Sequence, residues 1–216
     1  MKVNVLNKFD KNGSLKKLAD QNGRYKILAL DHISSLRKAL VTLSNSRDVT
    51  DSDLVRIKEL VIRVLSKEIT GILLDFDSYT KLKGQMSPAV GTLIKLEKGW
   101  IPAGRNGRER ITTVFSDTAV EQIARLGVCG LKMMLYCRPD ASEETVRTQN
   151  HLAQSIGEQC QKHHILYCLE PMWYPLFDDE LEGAENSEAI LAKRRPMIVL
   201  NPLKEFAKPD YYVDLF

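Results

Sequence analysis

Residues 25–31 read Tyr25-Lys-Ile-Leu-Ala-Leu-Asp31, a short apolar run that ends in a carboxylate. A continuous apolar run of this length is typical of a strand that is buried on both faces of a sheet. Runs of the same kind recur along the chain, and most of them also end in an acidic side chain. The predicted strands are residues 25–31, 70–75, 92–97, 130–136 and 165–170, with a sixth candidate at residues 211–216.

Helical periodicity separates the predicted strands. Leu54, Ile57 and Val61 recur at helical spacing, and residues 50–53 offer an N-cap to this helix. The order strand, helix, strand predicts parallel pairing through right-handed crossovers. The predicted helices are residues 51–69, 117–126, 143–162 and, more weakly, 197–207, whereas residues 99–110 and 177–188 are predicted to be loops.

A parallel sheet built in this way is either an open doubly wound sheet or a (β/α)8 TIM barrel. No GxGxxG or GxxxxGK[ST] motif follows a predicted strand, so the usual nucleotide fingerprints of open sheets are absent. Acidic residues at the ends of several strands favour the barrel, because barrel enzymes gather catalytic groups there. The sequence therefore predicts an α/β fold in which residues 1–216 form a single (β/α) barrel domain with about the first six β/α units. A complete barrel takes about 250 residues, so we expect the domain to be truncated at its C-terminal end.

Length and charge exclude several classes of protein. The chain has 216 residues, 44% of them hydrophobic, and 31 bases against 28 acids give a net charge of +3. Because the charges are mixed along the chain, we expect neither nucleic acid nor a membrane as a partner. The longest apolar runs have about five to seven residues, against the roughly 20 of a membrane span. With no apolar leader and no CxxC pair, the sequence predicts a cytoplasmic protein with free thiols.

Five ionisable residues lie in or at the C-terminal ends of the predicted strands. Burial within an apolar strand disfavours the charged form of Lys132, and a neutral amine is what Schiff-base chemistry on a carbonyl requires. Glu170 on the next strand is suited to proton transfer. The structural alternative is that Lys132 and Glu170 form a buried ion pair. The five residues are Asp31, Asp75, Glu97, Lys132 and Glu170.

A metal site is the second functional interpretation of the strand-end carboxylates, because hard cations prefer oxygen ligands. A lysine in the same pocket argues against it. In this interpretation the metal ligands are Asp31, Asp75, Glu97 and Glu170.

Two further features have both a functional and an ordinary explanation. His32 follows Asp31 and is suited to binding an anion or taking a proton, but a histidine at this place is as often a loop residue. Arg105, Arg108 and Arg110 resemble an anion-binding loop, although a solvated charged loop is the more common explanation.

The strand-end motifs resemble the class I (Schiff-base) aldolase family that includes tagatose 1,6-bisphosphate aldolase and sulfofructosephosphate aldolase. The matching pieces cover nearly the whole chain in order and spacing. They are Leu28-Ala-Leu-Asp31, Ile72-Leu-Leu-Asp75, Leu131-Lys132-Met-Met-Leu-Tyr136 with Pro139-Asp140, Gly157-Glu158-Gln-Cys160 and Leu169-Glu170. The resemblance implies a (β/α)8 barrel that cleaves a ketose phosphate through a lysine Schiff base, with no metal and no cofactor.

The same resemblance implies roles for the strand-end residues. Glu170 corresponds to the general acid/base, and Lys132 assists near the substrate hydroxyls. Asp31 is implied to help bind the substrate. From their places at strand ends, and not from the resemblance, we also expect His32 and Asp75 to bind the sugar phosphate.

The sequence departs from the family pattern at two places. The family shows Gln-Arg-Gly after the first strand, whereas this chain has His32-Ile33-Ser34. The family's Schiff-base lysine follows a sixth-strand motif, and the chain ends at Phe216, one residue before the position expected for it. Taken literally, the chain is expected to be an inactive fragment of a longer polypeptide, or Lys132 itself carries the Schiff base.

Three hypotheses remain open at this point. The first is a Schiff-base aldolase, the second a metal-dependent barrel lyase or isomerase, and the third a non-catalytic barrel fragment. An open half-barrel exposes an unpaired sheet edge, so self-association into a homo-oligomer is expected.

Overall fold

The computed structural model describes residues 11–44, 48–116 and 119–216. The chain divides into two compact units: the first is Met1–Lys95 with Gln122–Leu131, and the second is Leu96–Glu121 with Lys132–Phe216. Among the described residues, no helix is long and apolar enough to cross a membrane. None of the four cysteines, all of them in described segments, is joined in a disulfide.

The first unit is built on a parallel sheet. Strands β1, β2 and β3 pair in that order, with Ile27 opposite Gly71 and Gly71 opposite Gly91. Within this unit the Cys129 N–H donates to the carbonyl oxygen of Thr92 (2.9 Å), which lays the first residues of β6 beside β3. The elements are α1 (Lys11–Leu18), β1 (Ile27–Leu30), α2 (Ser34–Ser44), α3 (Asp51–Leu65), β2 (Gly71–Leu74), α4 (Phe76–Leu82) and β3 (Gly91–Lys95), with the start of β6 (Gly130–Tyr136).

Two glycines let α1 pack against the start of this sheet. A Cβ added at Gly71 or at Gly91 would lie 2.7 Å from the Cδ2 atom of Leu18. Leu18 is fully buried. Any larger residue at these two positions would displace the α1 side chain that covers the sheet.

Helix α3 confirms the predicted N-cap and shifts the predicted inward face. The Thr50 side chain accepts a hydrogen bond from the Asp53 N–H, and the Asp53 carboxylate accepts one from the Thr50 N–H, which is a capping box. The buried residues are Leu54, Lys58 and Ile62. A lysine thus occupies the centre of the inward face, one turn from each apolar neighbour.

The second unit contains the neighbouring strands β6 and β7. The Cys137 N–H donates to the carbonyl oxygen of Met172 (2.8 Å) just beyond the end of β6. The further elements are β4 (Glu97–Ala103), β5 (Glu109–Val114), α5 (Ala119–Arg125), α6 (Glu143–Lys162), β7 (Leu166–Met172) and α7 (Ser187–Phe206), of which α5 and β6 have residues in both units. The first two residues of the predicted helix 117–126 lie outside the described residues.

The prediction of a loop at residues 99–110 is wrong, because this segment belongs to an antiparallel hairpin. Strands β4 and β5 pair from Glu97 opposite Val114 to Ala103 opposite Glu109. The turn takes left-handed conformations at Asn106 (φ 51°) and at Gly107 (φ 70°). Asparagine and glycine tolerate this conformation, so the chain reverses tightly and the backbone groups on both sides pair.

Two predictions near the C-terminus are also corrected. The sixth strand is reduced to a single parallel bridge between Leu215 and Cys168, because Tyr212 has a left-handed conformation (φ 52°) that interrupts an extended path. The helix predicted at 197–207 begins earlier, at Ser187, directly after Asn186 (φ 57°). Helix α6 is confirmed, with Ser142 as its N-cap.

The fold class is confirmed at its coarser level: the chain is an α/β protein with a parallel sheet. Strands occur at five of the six predicted positions. Completion of the sheet into a (β/α)8 barrel, and the prediction of a single domain, stay predictions.

Candidate active site

Lys132 lies between two carboxylates in the second unit. Its ammonium nitrogen is 2.6 Å from Oε2 of Glu170 and 3.4 Å from Oε1 of Glu97. The side chains of Lys132 and Glu97 are 10% and 2% exposed, whereas that of Glu170 is 44% exposed. Of the residues that the sequence places at strand ends, the structure brings these three together.

The strands explain why these side chains meet. The Leu96 N–H donates to the carbonyl oxygen of Lys132 (2.9 Å), and the Met134 N–H donates to Oε2 of Glu97 (3.0 Å). The Glu97 carboxylate therefore contacts both the Met134 N–H and the Lys132 ammonium, which fixes it beside the lysine. Glu97 is one of the strand-end carboxylates of the metal interpretation, but the aldolase resemblance gives it no role.

Two carboxylates next to one amine favour the charged ammonium form of Lys132. This is the opposite of the neutral amine that a Schiff-base nucleophile needs. The arrangement suits a lysine that holds a proton or a hydrogen-bond donor at a substrate oxygen, with Glu170 able to exchange protons because it is accessible.

Cys168 lies on β7, where the charges of Lys132 and Glu170 affect the pKa of its thiol. Burial raises the pKa of the Cys168 thiol to about 11, against the opposing charge of Lys132 and with a smaller contribution from Glu170. The thiol is therefore protonated near neutral pH.

Asp31 and His32 lie together in the first unit, directly after β1. Asp31 is buried, and its Oδ1 atom is 3.6 Å from Nδ1 of His32, whose side chain is 62% exposed. His32 also lines a surface concavity of about 340 Å³, together with Leu30, Ser35 and Leu36. Both residues stand where the sequence predicts substrate contacts.

Asp75 follows β2 in the first unit, and its carboxylate is already engaged. It caps α4 by accepting a hydrogen bond from the Ser78 N–H (2.9 Å), and it forms a buried ion pair with Lys58. Burial alone would raise the pKa of Asp75, but the hydrogen bonds from Lys58 and Ser78 outweigh it and hold the pKa below its ordinary value. Lys58 is not among the predicted site residues. It lies one helical turn from both Leu54 and Ile62, but this spacing identifies it as buried only once the inward face of α3 is known.

The metal interpretation finds no assembled ligand set. Across residues 11–44, 48–116 and 119–216, no group of three or more His, Cys, Asp or Glu side chains could hold a metal ion. The carboxylates of Glu97 and Asp75 have lysine partners instead.

Residues 26–192 match the sequence profile of the DeoC/LacD family aldolases. The chain belongs to this family. The matched range includes the lysine and glutamates of the Lys132 site, and also Asp31, His32 and Asp75. The predicted resemblance to an aldolase family is therefore confirmed.

Named relatives within the family agree with this assignment. The chain is 27% identical over 205 residues to tagatose 1,6-diphosphate aldolase 2 of Enterococcus faecalis, with 95% of this chain and 59% of that protein covered. It is 28% identical over 211 residues to tagatose 1,6-diphosphate aldolase of Listeria monocytogenes, with 96% of this chain and 58% of that protein covered. The chain thus spans less than three fifths of the length of these relatives.

A solved structure supports the family's fold. The chain superposes on fructose-bisphosphate aldolase from Plasmodium falciparum with a TM-score of 0.58 and 16% sequence identity, and the match covers 91% of this chain and 60% of that one. At this identity the likeness concerns the fold alone.

Proposed function

We propose that the protein is an aldolase-type lyase that cleaves a ketose bisphosphate, such as tagatose 1,6-bisphosphate, into dihydroxyacetone phosphate and an aldehyde. Family membership supports the reaction class, and the names of the relatives supply the substrate. The observation that carries the proposal is the Lys132 site, in which an accessible carboxylate at Glu170 is paired with a nearly buried lysine.

The chemistry requires a base at the substrate hydroxyl. In aldol cleavage through a Schiff base, a base removes the proton of the C4 hydroxyl, the C3–C4 bond breaks, and its electron pair moves into the iminium. We assign the proton transfer to Glu170, since it is accessible and hydrogen-bonded. Lys132 then donates a charge-assisted hydrogen bond to a substrate oxygen, and Glu97 holds Lys132 in place.

The family resemblance implies that the Schiff base forms on a different lysine, at a position that follows Phe216 in the family pattern. The two carboxylates around Lys132 support an assisting role for it, because they favour an ammonium rather than a neutral amine. Asp31 and His32 are proposed as substrate-binding residues, and the concavity beside His32 supports this for His32. The substrate contact of Asp75 stays a prediction, because its carboxylate is engaged by Lys58 and Ser78.

Borohydride trapping tests the proposal. The protein is incubated with dihydroxyacetone phosphate and sodium borohydride, and intact mass spectrometry records the reduced adduct. We expect an adduct that forms equally well with and without EDTA, on a species heavier than the 24.5 kDa of these 216 residues, because the family's lysine position follows Phe216. An adduct at 24.5 kDa would assign the Schiff base to a lysine of this chain. Absence of any adduct, together with turnover that EDTA abolishes, would overturn the Schiff-base mechanism in favour of a metal-dependent lyase.

Two variants separate the roles of the lysines. Lys132→Met is expected to keep the adduct while slowing turnover, whereas loss of the adduct in this variant would make Lys132 the nucleophile. Lys98→Met is the matched control, since Lys98 is an exposed lysine on β4 directly after Glu97. The control is expected to leave both adduct and turnover unchanged.

A further inference from the structure

Arg110 lies among three aromatic rings in the second unit. Its guanidinium carbon is 4.4 Å from the centroid of the Trp100 ring, 5.1 Å from that of Tyr136 and 4.9 Å from that of Tyr174. The backbone N–H of Arg110 donates to the Tyr174 hydroxyl (3.1 Å). We call these three rings the aromatic cage, and they hold the guanidinium in a defined place.

The guanidinium of Arg110 differs from its neighbours in having no acidic partner. Within the described part of the chain, it makes no hydrogen bond or ion pair with a carboxylate. Nearby arginines are paired: Arg108 with Asp178, Arg138 with Asp140 and Glu180, and Arg194 with Asp179 and Glu180. A cation–π contact uses no hydrogen-bond acceptor, so the rings do not take the place of an anion at the N–H donors of this guanidinium.

One ring of the aromatic cage, that of Tyr136, lies on the same face of β6 as Lys132. Side chains alternate along a strand, so Lys132 and Tyr136 share one face of β6. Four residues of strand separate their Cα atoms by roughly 13 Å. Tyr136 ends the strand, and the C-terminal strand ends are where barrel enzymes bind their substrates. The Arg110 donors thus belong to the substrate side of β6.

We propose that Arg110 is a phosphate-binding residue that takes the phosphate group of a sugar phosphate. The planar fork of N–H donors matches two oxygens of a phosphate monoester, and charge-assisted pairs of this kind are among the strong hydrogen bonds. The aromatic cage restrains the guanidinium before binding, which reduces the ordering cost that a flexible arginine would bear. That the phosphate belongs to a sugar rests on the proposed function, whereas phosphate binding at Arg110 does not.

Trp100 provides a direct readout of the site. The chain has two tryptophans, so Trp173→Phe leaves Trp100 as the single indole reporter. We expect its fluorescence to change saturably when inorganic phosphate or dihydroxyacetone phosphate is added to this variant. Arg110→Gln in the same background is expected to weaken phosphate binding at least about tenfold, as loss of a charge-assisted hydrogen bond would.

Arg108→Gln is the matched control, because it removes the same charge from the same hairpin but from an arginine that is paired with Asp178. It is expected to leave phosphate affinity within about twofold, as is typical of an exposed ion pair. Equal weakening by both substitutions would reduce Arg110 to a general electrostatic effect and overturn the proposal. Unchanged binding in Arg110→Gln would also overturn it.

Failure of this inference is distinguishable from failure of the proposed function. An adduct trapped by borohydride, with phosphate binding independent of Arg110, would remove the inference and leave the lyase. Phosphate binding that depends on Arg110, without any adduct, would keep the site and remove the Schiff-base reaction.

Discussion

Two lysine–carboxylate pairs of this molecule both use a carboxylate at the end of a parallel strand, and they differ in how exposed that carboxylate is. In the first unit, Lys58 and Asp75 are 1% and 9% exposed. In the second unit, Lys132 and Glu170 are 10% and 44% exposed. Both carboxylates follow or end a strand of the parallel sheet, and both lysines are buried.

The difference lies in what each carboxylate has left to offer. The carboxylate oxygens of Asp75 bind the Lys58 ammonium and accept a hydrogen bond from the Ser78 N–H at the N-terminus of α4. Glu170 is reachable from outside, and a second carboxylate, Glu97, helps to hold its lysine. A strand-end carboxylate that remains accessible is therefore a candidate for catalysis. One that binds a buried cation and caps a helix is a structural group.

The largest expected effect concerns Lys132 and Glu170, the pair with the exposed carboxylate. Glu170→Gln removes the proposed base and is expected to lower turnover by about 10²- to 10⁴-fold, the usual contribution of general acid–base catalysis. Since Glu170 is exposed, the free energy of unfolding should change by less than about 1 kcal/mol. Steady-state rates and urea unfolding on the same preparation check both statements. Full activity in the variant would return Glu170 to the status of a structural partner of Lys132.

We call Lys58 and Asp75 the sealed pair, because both side chains are buried. Substitution in this pair is expected to lower the free energy of unfolding. Lys58→Met leaves the Asp75 carboxylate buried without its cation, which is expected to cost about 3–5 kcal/mol of unfolding free energy. Arg56→Met on the same helix is the control, because Arg56 is exposed and such substitutions usually change stability by less than about 0.5 kcal/mol. Urea unfolding monitored by circular dichroism gives both values. Equal stability of the two variants would contradict the sealed-pair description.

The sequence predicts well those features that depend on neighbouring residues. Five strands, the capping box at Thr50 and the helix that begins after Ser142 were all predictable, because apolar runs and caps are local signals. The hairpin was missed although Asn106-Gly107 carries a strong turn signal. The glycine- and arginine-rich composition of that segment led to the prediction of a loop.

Features that depend on distant partners were beyond sequence analysis. A lysine in a helix is ordinarily assigned to the solvent face, and the burial of Lys58 depends on Asp75, a residue in another element. The aromatic cage of Arg110 likewise combines rings from β4, β6 and the segment after β7. Nothing in the spacing of Trp100, Tyr136 and Tyr174 indicates that they surround one guanidinium.

The acid stability of the protein tests the role of the Asp75 carboxylate by another route. The pKa of Asp75 is lowered in the folded state from an ordinary value of 3.8. Its contribution to stability is therefore present above that value and lost as the pH falls below it. The difference in unfolding free energy between the protein and Asp75→Asn should shrink between pH 5 and pH 3, as followed by urea unfolding. A difference that stays constant across this range would mean that the carboxylate charge contributes nothing.

The smallest expected effect concerns Ser78, which contacts both Lys58 and Asp75. The Lys58 ammonium donates to the Ser78 hydroxyl (3.1 Å), and Ser78→Ala removes this acceptor but keeps the N–H that binds Asp75. The loss of one hydrogen bond is expected to cost about 1 kcal/mol in unfolding free energy. Thermal and urea unfolding should agree on this value. A loss approaching that of Lys58→Met would contradict the assignment of the Asp75 carboxylate as the main partner of the buried ammonium.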